Sequence, residues 1–226
     1  MARFAPRPCW HIGITGGIGS GKSTAAAILQ AATEAVLIDA DQLARTSTRV
    51  EGAAIAQIRA TFGDTVIAAD GSMRRDVMRE WAFRDPAVKR TLEAIIHPIV
   101  LQQAQTLAAT AERQGKSLIL YELPLLVEST HWRKRLHRVI VIDCDEPTQI
   151  QRVMQRNDLE YATAASIIAA QASRQQRRHA ADTVIYNGAS VNLPQLQTQV
   201  NALATSFGLM IAPKELPSDP VRIPLQ

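Results

Sequence analysis

Gly16-Gly17-Ile18-Gly19-Ser20-Gly21-Lys22-Ser23 sets two glycines five residues apart and follows the second with Lys and Ser. Before it, His11 to Thr15 reads as a buried strand through Ile12 and Ile14; after it, Thr24 to Gln30 reads as a helix. Strand, glycine loop and helix in that order mark a phosphate-binding loop rather than a chance match. Glycines let the backbone turn at positive φ and carry its N–H groups up to phosphate oxygens with no Cβ in the way. The free N–H groups at the helix start add the positive end of the helix dipole. Lys22 can reach β- and γ-phosphates, and the Ser23 hydroxyl can ligate a bridging Mg²⁺. The stretch thus implies a nucleoside triphosphate site, ATP by expectation, contacted by Gly17, Ile18, Gly19, Ser20, Gly21, Lys22, Ser23 and Thr24.

Outward from the loop, four more short apolar runs read as strands: Ala35 to Asp39, Ser117 to Leu123, Arg138 to Asp143 and Asp182 to Tyr186. Each is continuous rather than alternating, as for strands covered on both faces, and helical patterns separate them. The class is therefore α/β, a P-loop NTPase-type parallel sheet flanked by helices. Between the second and third strands no strand is expected. Helical patterns run instead over Glu51 to Phe62, Arg74 to Phe83, Pro86 to Ile95 and Pro98 to Gln114, the last begun by His97-Pro98. An insertion at a strand's carboxyl end is where a doubly wound sheet builds a second substrate pocket. The expected organisation is an extension over 1–10, a core of 11–41 and 117–209, a helical acceptor-binding insertion over 42–116, a lid over about 157–180, and a tail over 210–226.

A second helical excursion begins with Asp145 as the cap for a helix from Pro147, and a further helix runs from Ala162 toward His179. Arg152, Arg156, Arg174, Arg177 and Arg178 gather near that junction. Such a run can be a solvated face; beside a phosphate loop it can be a lid that stabilises transferring charge. Asp39-Ala40-Asp41 ends the second strand and sets its two carboxylates at the sheet edge that holds the loop. One can take a proton from an attacking hydroxyl, or either can cap the following helix from Gln42; Asp39 reads as the cap, and Asp41 stays open between the two. Glu122, ending a hydrophobic strand beside the loop, is a candidate Mg²⁺ ligand with Ser23. Glu128 can bind a second substrate or simply sit on the surface, and His97 can be a packed or capping residue or, in the insertion facing the second pocket, a substrate contact; His97, Pro124, Leu125 and Glu128 are the candidates for that substrate.

Bulk properties narrow the field. Hydrophobic residues make up 46%, ordinary for a globular chain, while 4% aromatics provide no stacking platform for single-stranded nucleic acid. A net charge of +4 suits an anionic small substrate. Cys9 and Cys144 are far apart and read as free thiols in a reducing compartment, Cys144 as a small core residue at a strand end. No apolar run approaches a membrane span, and the first eight residues lack the apolar centre of a secretory signal. The expectation is a soluble cytoplasmic protein with neither nucleic acid nor membrane as partner, its oligomeric state left open with a monomer among the choices.

The order of short motifs resembles the dephospho-coenzyme A kinase family. It runs through ITGGIGSGKST (Ile14 to Thr24), IDAD (Ile38 to Asp41), LAR (Leu43 to Arg45), FGD (Phe62 to Asp64) and ADGSMRR (Ala69 to Arg75). It continues with IIHP (Ile95 to Pro98), PLLVE (Pro124 to Glu128), MQRND (Met154 to Asp158), AAQASRQQR (Ala169 to Arg177) and ADTVIYNGA (Ala181 to Ala189). The resemblance implies transfer of the ATP γ-phosphate to the ribose 3′-hydroxyl of dephospho-coenzyme A, the last step of coenzyme A synthesis. It implies Asp41 as catalytic base, Arg156 and Arg174 in the lid, and Asn187 and Gly188 at the adenine. Two rivals remain on the residues alone. One is a kinase for another hydroxyl, such as a nucleoside monophosphate; the other is a nucleotide-dependent switch, for which the Asp-x-x-Gly and Asn-Lys-x-Asp signals are missing.

Overall fold

The five apolar runs form one parallel sheet in the computed structural model, which describes residues 9–206. The strands are β1 (Trp10–Thr15), β2 (Val36–Asp39), β3 (Leu118–Glu122), β4 (Arg138–Asp143) and β5 (Thr183–Tyr186), in the order β2-β3-β1-β4-β5. Helices α1 (Lys22–Thr33), α2 (Ala40–Ser47), α3 (Ile55–Phe62), α4 (Arg75–Arg84) and α5 (Pro86–Arg113) precede β3 or join it to the strands before it. After β3 come α6 (Thr130–Arg133), α7 (Glu146–Asn157), α8 (Tyr161–Ala169), α9 (Arg174–Ala180) and α10 (Leu193–Ser206). Among the described residues no helix is long and apolar enough to cross a membrane.

The continuous apolar runs follow from burial on both faces. Ile12, Ile14, Leu118, Leu120, Ile140 and Ile142 pack toward Ala25, Ala26 and Leu29 of α1 and Leu196, Val200 and Ala204 of α10. Their alternates Ile119, Tyr121, Val139 and Val141 pack toward Ala104, Ala108 and Ala111 of α5. The insertion has a smaller core of its own, built on Ala54, Ile58, Val66, Met78 and Ile95. Parallel register pairs Ile14 with Glu122 and Asp39 with Glu122, so the ends of β1, β3 and β2 meet at one edge. The glycine loop leaves the central strand at that edge, where the connections diverge to either side of the sheet.

Several expectations are corrected. Pro86 to Gln114 is a single helix, α5, with Pro98 inside it, and His97 lies mid-helix rather than at a start. Proline removes one backbone donor and normally ends a helix; here Ile95, Val88, Leu92 and Ile96 hold one half in the insertion core while Ala104, Ala108 and Ala111 hold the other against the sheet. Conversely, the run from Ala162 to His179 is two helices, α8 and α9, because Ser173 and Gln176 form a capping box that starts the second. Helix α2 begins at Ala40, so Asp41 stands in its first turn and not on the strand. Trp10 opens β1, which removes it from the expected extension; the rest of that extension up to residue 8, and the tail over 210–226, lie outside the described residues. Cys144 is buried directly after β4, and both cysteines are free thiols.

Candidate active site

Backbone geometry comes first. Gly19 and Gly21 sit at φ 77° and 86°, conformations that a side chain resists. Gly17 is required for space: a Cβ there would lie 2.2 Å from Gln149 Nε2 and 2.8 Å from Arg177 Nη2. The loop's carbonyls are drawn away from the cleft. Gln149 Nε2 donates to Ile18 O at 2.7 Å, Arg152 Nη1 to Gly19 O at 3.2 Å, and Asn187 Nδ2 to Ser20 O at 2.7 Å. The Ile18 N–H donates to Gln171 Oε1 at 2.9 Å. No side chain caps the first turn of α1, so its N–H groups keep their orientation toward the cleft.

That cleft, about 560 Å³, is lined by Gly17, Ile18, Gly19, Gly21, Lys22, Ser23 and Thr24 of the loop, with Asp41, Glu122, Pro124 and Arg156 among the facing residues. Ser20 is buried beneath it and does not line it. Glu122, 5% exposed, accepts from both Lys22 Nζ and Ser23 Oγ, the latter at 2.5 Å. A buried carboxylate is tolerable only with such partners. Asp39 caps α2 through Gln42 N at 3.1 Å, while Asp41 is left without that duty. Loss of water against the cleft walls, then the neighbouring Asp39, pushes the Asp41 carboxyl above its ordinary range; Lys22 and Arg45 pull it back only in part.

The arginines separate. Arg156 is exposed and lines the cleft. Arg174 instead makes a two-pronged contact with Asp143, Nε at 2.8 Å and Nη2 at 2.7 Å, which holds its charge more firmly, and it does not line the cleft. Arg178 approaches the same carboxylate at 3.8 Å. Arg177, 6% exposed, lies against Gly17 and donates to Ala172 O. Asn187 is buried under the loop with its amide committed to Ser20, and Gly188 O accepts from Arg152 Nη2 at 3.5 Å.

A second cavity of about 280 Å³ adjoins the first and shares Asp41 and Arg45 with it; Ala44, Met73 and Ile96 make it apolar, Thr48 and Arg75 polar. Arg75 Nη2 donates to Thr48 Oγ1 at 2.7 Å and to Arg45 O at 3.1 Å. Burial, together with the cations of Arg45 and Arg49, lowers its proton affinity. His97 and Leu125 are exposed and line neither cavity, so the structure does not bring them to the site. Pro124 does line the cleft, and Glu128 accepts from Ala172 N at 2.8 Å, tying the β3–α6 loop to the α8–α9 junction. Residues that sequence reasoning left out of the site are Gln149, Gln171, Arg45 and Arg75. All but Gln149 carried a signal: Gln171 lies within the AAQASRQQR motif, Arg45 within LAR and Arg75 within ADGSMRR.

Comparison with known proteins places this geometry. A family model described as dephospho-CoA kinase matches residues 10–192. The dephospho-CoA kinase of Albidiferax ferrireducens is 48% identical over 203 residues, covering 90% of this chain and 95% of its own. That of Dechloromonas aromatica is 41% identical over 206 residues, covering 91% and 97%. Among solved structures, a Thermus thermophilus protein superposes with a TM-score of 0.72 at 30% identity, over 88% of this chain and 98% of its own.

Proposed function

The chain belongs to the dephospho-CoA kinase family, and on that footing we propose how its own residues move the ATP γ-phosphate to the ribose 3′-hydroxyl of dephospho-coenzyme A. The enzyme is an ATP-dependent phosphotransferase acting on an alcohol group. The observation that carries the division of roles is that Asp41 lines both the phosphate cleft and the adjoining cavity of the insertion. A carboxylate at that shared wall touches the donor phosphate on one side and the acceptor hydroxyl on the other.

The loop N–H groups and Lys22 receive the β- and γ-phosphates, and Arg156 meets them from the facing helix. Ser23 Oγ and the Glu122 carboxylate converge within 2.5 Å. They are hard oxygen donors, and they fit a Mg²⁺ ion. An Mg²⁺ ion held by these two residues would supply charge withdrawal from the transferring phosphates. Asp41 orients the 3′-hydroxyl in line and accepts its proton; the upward push on its carboxyl strengthens it as a base. Arg45 and Arg75 set cations beside the acceptor's phosphates, and Met73 and Ile96 supply apolar wall. Gln149, Arg152, Asn187 and Arg177 keep the loop rigid rather than touching the reacting atoms. Arg174, held by Asp143, belongs with that supporting set. The chain's free thiols suit a reducing cytoplasm.

The test is a mass-spectrometric transfer assay with ATP and Mg²⁺ against dephospho-coenzyme A, AMP, CMP and pantothenate. Expected is a gain of one phosphoryl group, about 80 daltons, on dephospho-coenzyme A alone. Gain on a different acceptor, or ATP loss with no acceptor modified, would overturn the acceptor assignment and the part given to Asp41.

A further inference from the structure

Away from the cleft, at the amino end of the sheet, the strand period brings a second set of reactive side chains together. Cys9, directly before β1, and His11 within it are two residues apart, and an extended backbone puts them on the same face. Register pairs His11 with Ile119, which sets Tyr121 diagonally opposite on the same face of β3. Helix α5 covers this face through Ala104, Ala108 and Ala111, and its last turn brings Glu112 over the group.

The contacts are specific. His11 Nε2 lies 2.8 Å from Glu112 Oε1, and His11 Nδ1 lies 2.9 Å from Tyr121 Oη. One ligand atom each from Cys9, His11 and Glu112 falls within 4.8 Å of the others. A carboxylate oxygen only accepts, so in the metal-free chain His11 Nε2–H donates to Glu112 while Nδ1 faces the Tyr121 hydroxyl; a bound metal ion takes the place of that Nε2 proton. The Tyr121 contact is the kind that fixes the tautomer of a metal-bound imidazole.

We propose that Cys9, His11 and Glu112 form a binding site for a zinc(II) ion, with water as fourth ligand. Thiolate, imidazole and carboxylate together suit zinc better than magnesium or calcium. Bonds of about 2.0–2.3 Å to three such atoms put ligands roughly 3.3–3.8 Å apart in a tetrahedron. The 2.8 Å His11–Glu112 contact therefore opens by about half an ångström. Glu112 is exposed at a helix end and free to make that adjustment. Binding forms the S–Zn and N–Zn bonds, releases the Cys9 thiol proton to solvent and leaves the imidazole proton on Nδ1, donated to the Tyr121 oxygen, instead of on Nε2, with no change of oxidation state. The site clips the start of β1 to the end of α5. It lies about 16 Å from the glycine loop, five strand residues at roughly 3.3 Å each, so it acts on stability and not on transfer.

The test is a Co²⁺ titration of the full chain in saturating Mg²⁺, which occupies oxygen-only sites. Expected is one equivalent bound with a thiolate-to-cobalt charge-transfer band, displaced by Zn²⁺, and a rise in melting temperature with Zn²⁺. Cys9→Ser abolishes the band, Tyr121→Phe weakens zinc binding about 10–100-fold, and Cys144→Ala changes neither. Glu112→Gln, at an exposed position that the fold does not need, lowers the affinity with the melting temperature of the metal-free protein unchanged. The proposal is overturned if no band forms, if the band survives Cys9→Ser, or if zinc binds Glu112→Gln as tightly as the parent. If no band forms, the group is only a His11–Glu112 ion pair.

Discussion

Asn187→Ala separates two parts that this residue can play. Its side chain is 6% exposed, and its amide donates at 2.7 Å to the carbonyl of Ser20, a residue 1% exposed. The amide nitrogen also fills the space beside Gly21, where a Cβ would come within 2.3 Å of it. Truncation therefore strands one buried carbonyl and opens a gap under the left-handed turn of the loop. An orphaned buried acceptor costs about 1–3 kcal/mol. If the nucleotide must restore the loop, that penalty reappears in binding at about tenfold per 1.4 kcal/mol. Because the phosphates, and not the base, feel the loop, ATP and GTP should weaken by the same factor. Urea denaturation at unchanged m-value, with calorimetric titration of both nucleotides, reads the two effects. A stability loss under about 0.5 kcal/mol, the ordinary scatter of surface substitutions, would refute the tether. So would a loss of ATP affinity with GTP untouched, which is the behaviour of a residue that reads adenine.

Asp41→Asn should cut kcat by about 10²–10⁴ while ATP affinity stays within a few-fold, as single-turnover kinetics and equilibrium titration would register. The folded protein holds the Asp41 proton more tightly than the unfolded chain does, so the stability this group contributes is lost as pH rises through its folded pKa. The Asn variant should therefore melt higher than the parent near neutral pH, and the gap should close below about pH 4, the ordinary range of an unfolded aspartate; a lower melting temperature at neutral pH would count against the desolvated base. Asp145→Ala removes the cap of α7, whose side chain accepts from Thr148 N at 3.0 Å and Oγ1 at 2.6 Å, at a cost of about 1 kcal/mol. Those bonds hold the Asp145 carboxyl down at about 2, so its stabilisation is present above about pH 4 and fades between there and pH 2; melting curves of parent and variant should converge over that window and no higher. Ser173→Ala breaks the capping box of α9 and should cost about 0.5–2 kcal/mol by denaturation; since α9 carries Arg177 against Gly17, KM for ATP should rise with it, and an unchanged KM would uncouple the two.

The strands were legible because each is a continuous apolar run, buried on both faces in β1, β3 and β4 although Val184 and Tyr186 of the edge strand β5 are exposed, and their observed ends fall within a residue or so of those expected. Helix boundaries were less so. Pro98 resembles a helix start on the rule that favours proline in the first turn; what keeps α5 going is packing on both flanks, and that exists only once the insertion and the sheet have come together. The break before α9 was written in Ser173 and Gln176, yet the surrounding run of good helix formers masked it. Helix α10 packs Leu196, Val200 and Ala204 on the sheet at ordinary helical spacing, but was not read. In the site, the loop, Glu122 and Asp41 follow from motif and position. The commitment of Asn187 to Ser20 and of Arg174 to Asp143 does not, because each joins elements 31 or more residues apart with nothing in the local pattern to pair them.

Helix α5 has a mechanical consequence. At 28 residues it is a rod of about 42 Å, with one end fastened to the insertion core and the other to the back of the sheet. The two cavities that meet at Asp41 are thus mounted on one beam, and the insertion cannot swing without bending it. The weakest point is Pro98, which offers no N–H to the turn before it. From there to Pro86 is about 18 Å of helix, so each degree of bend shifts the far end by about 0.3 Å. A few degrees would move that end of the insertion by about an ångström against the sheet that carries the glycine loop, so the stiffness of a single turn sets how firmly the insertion is held there.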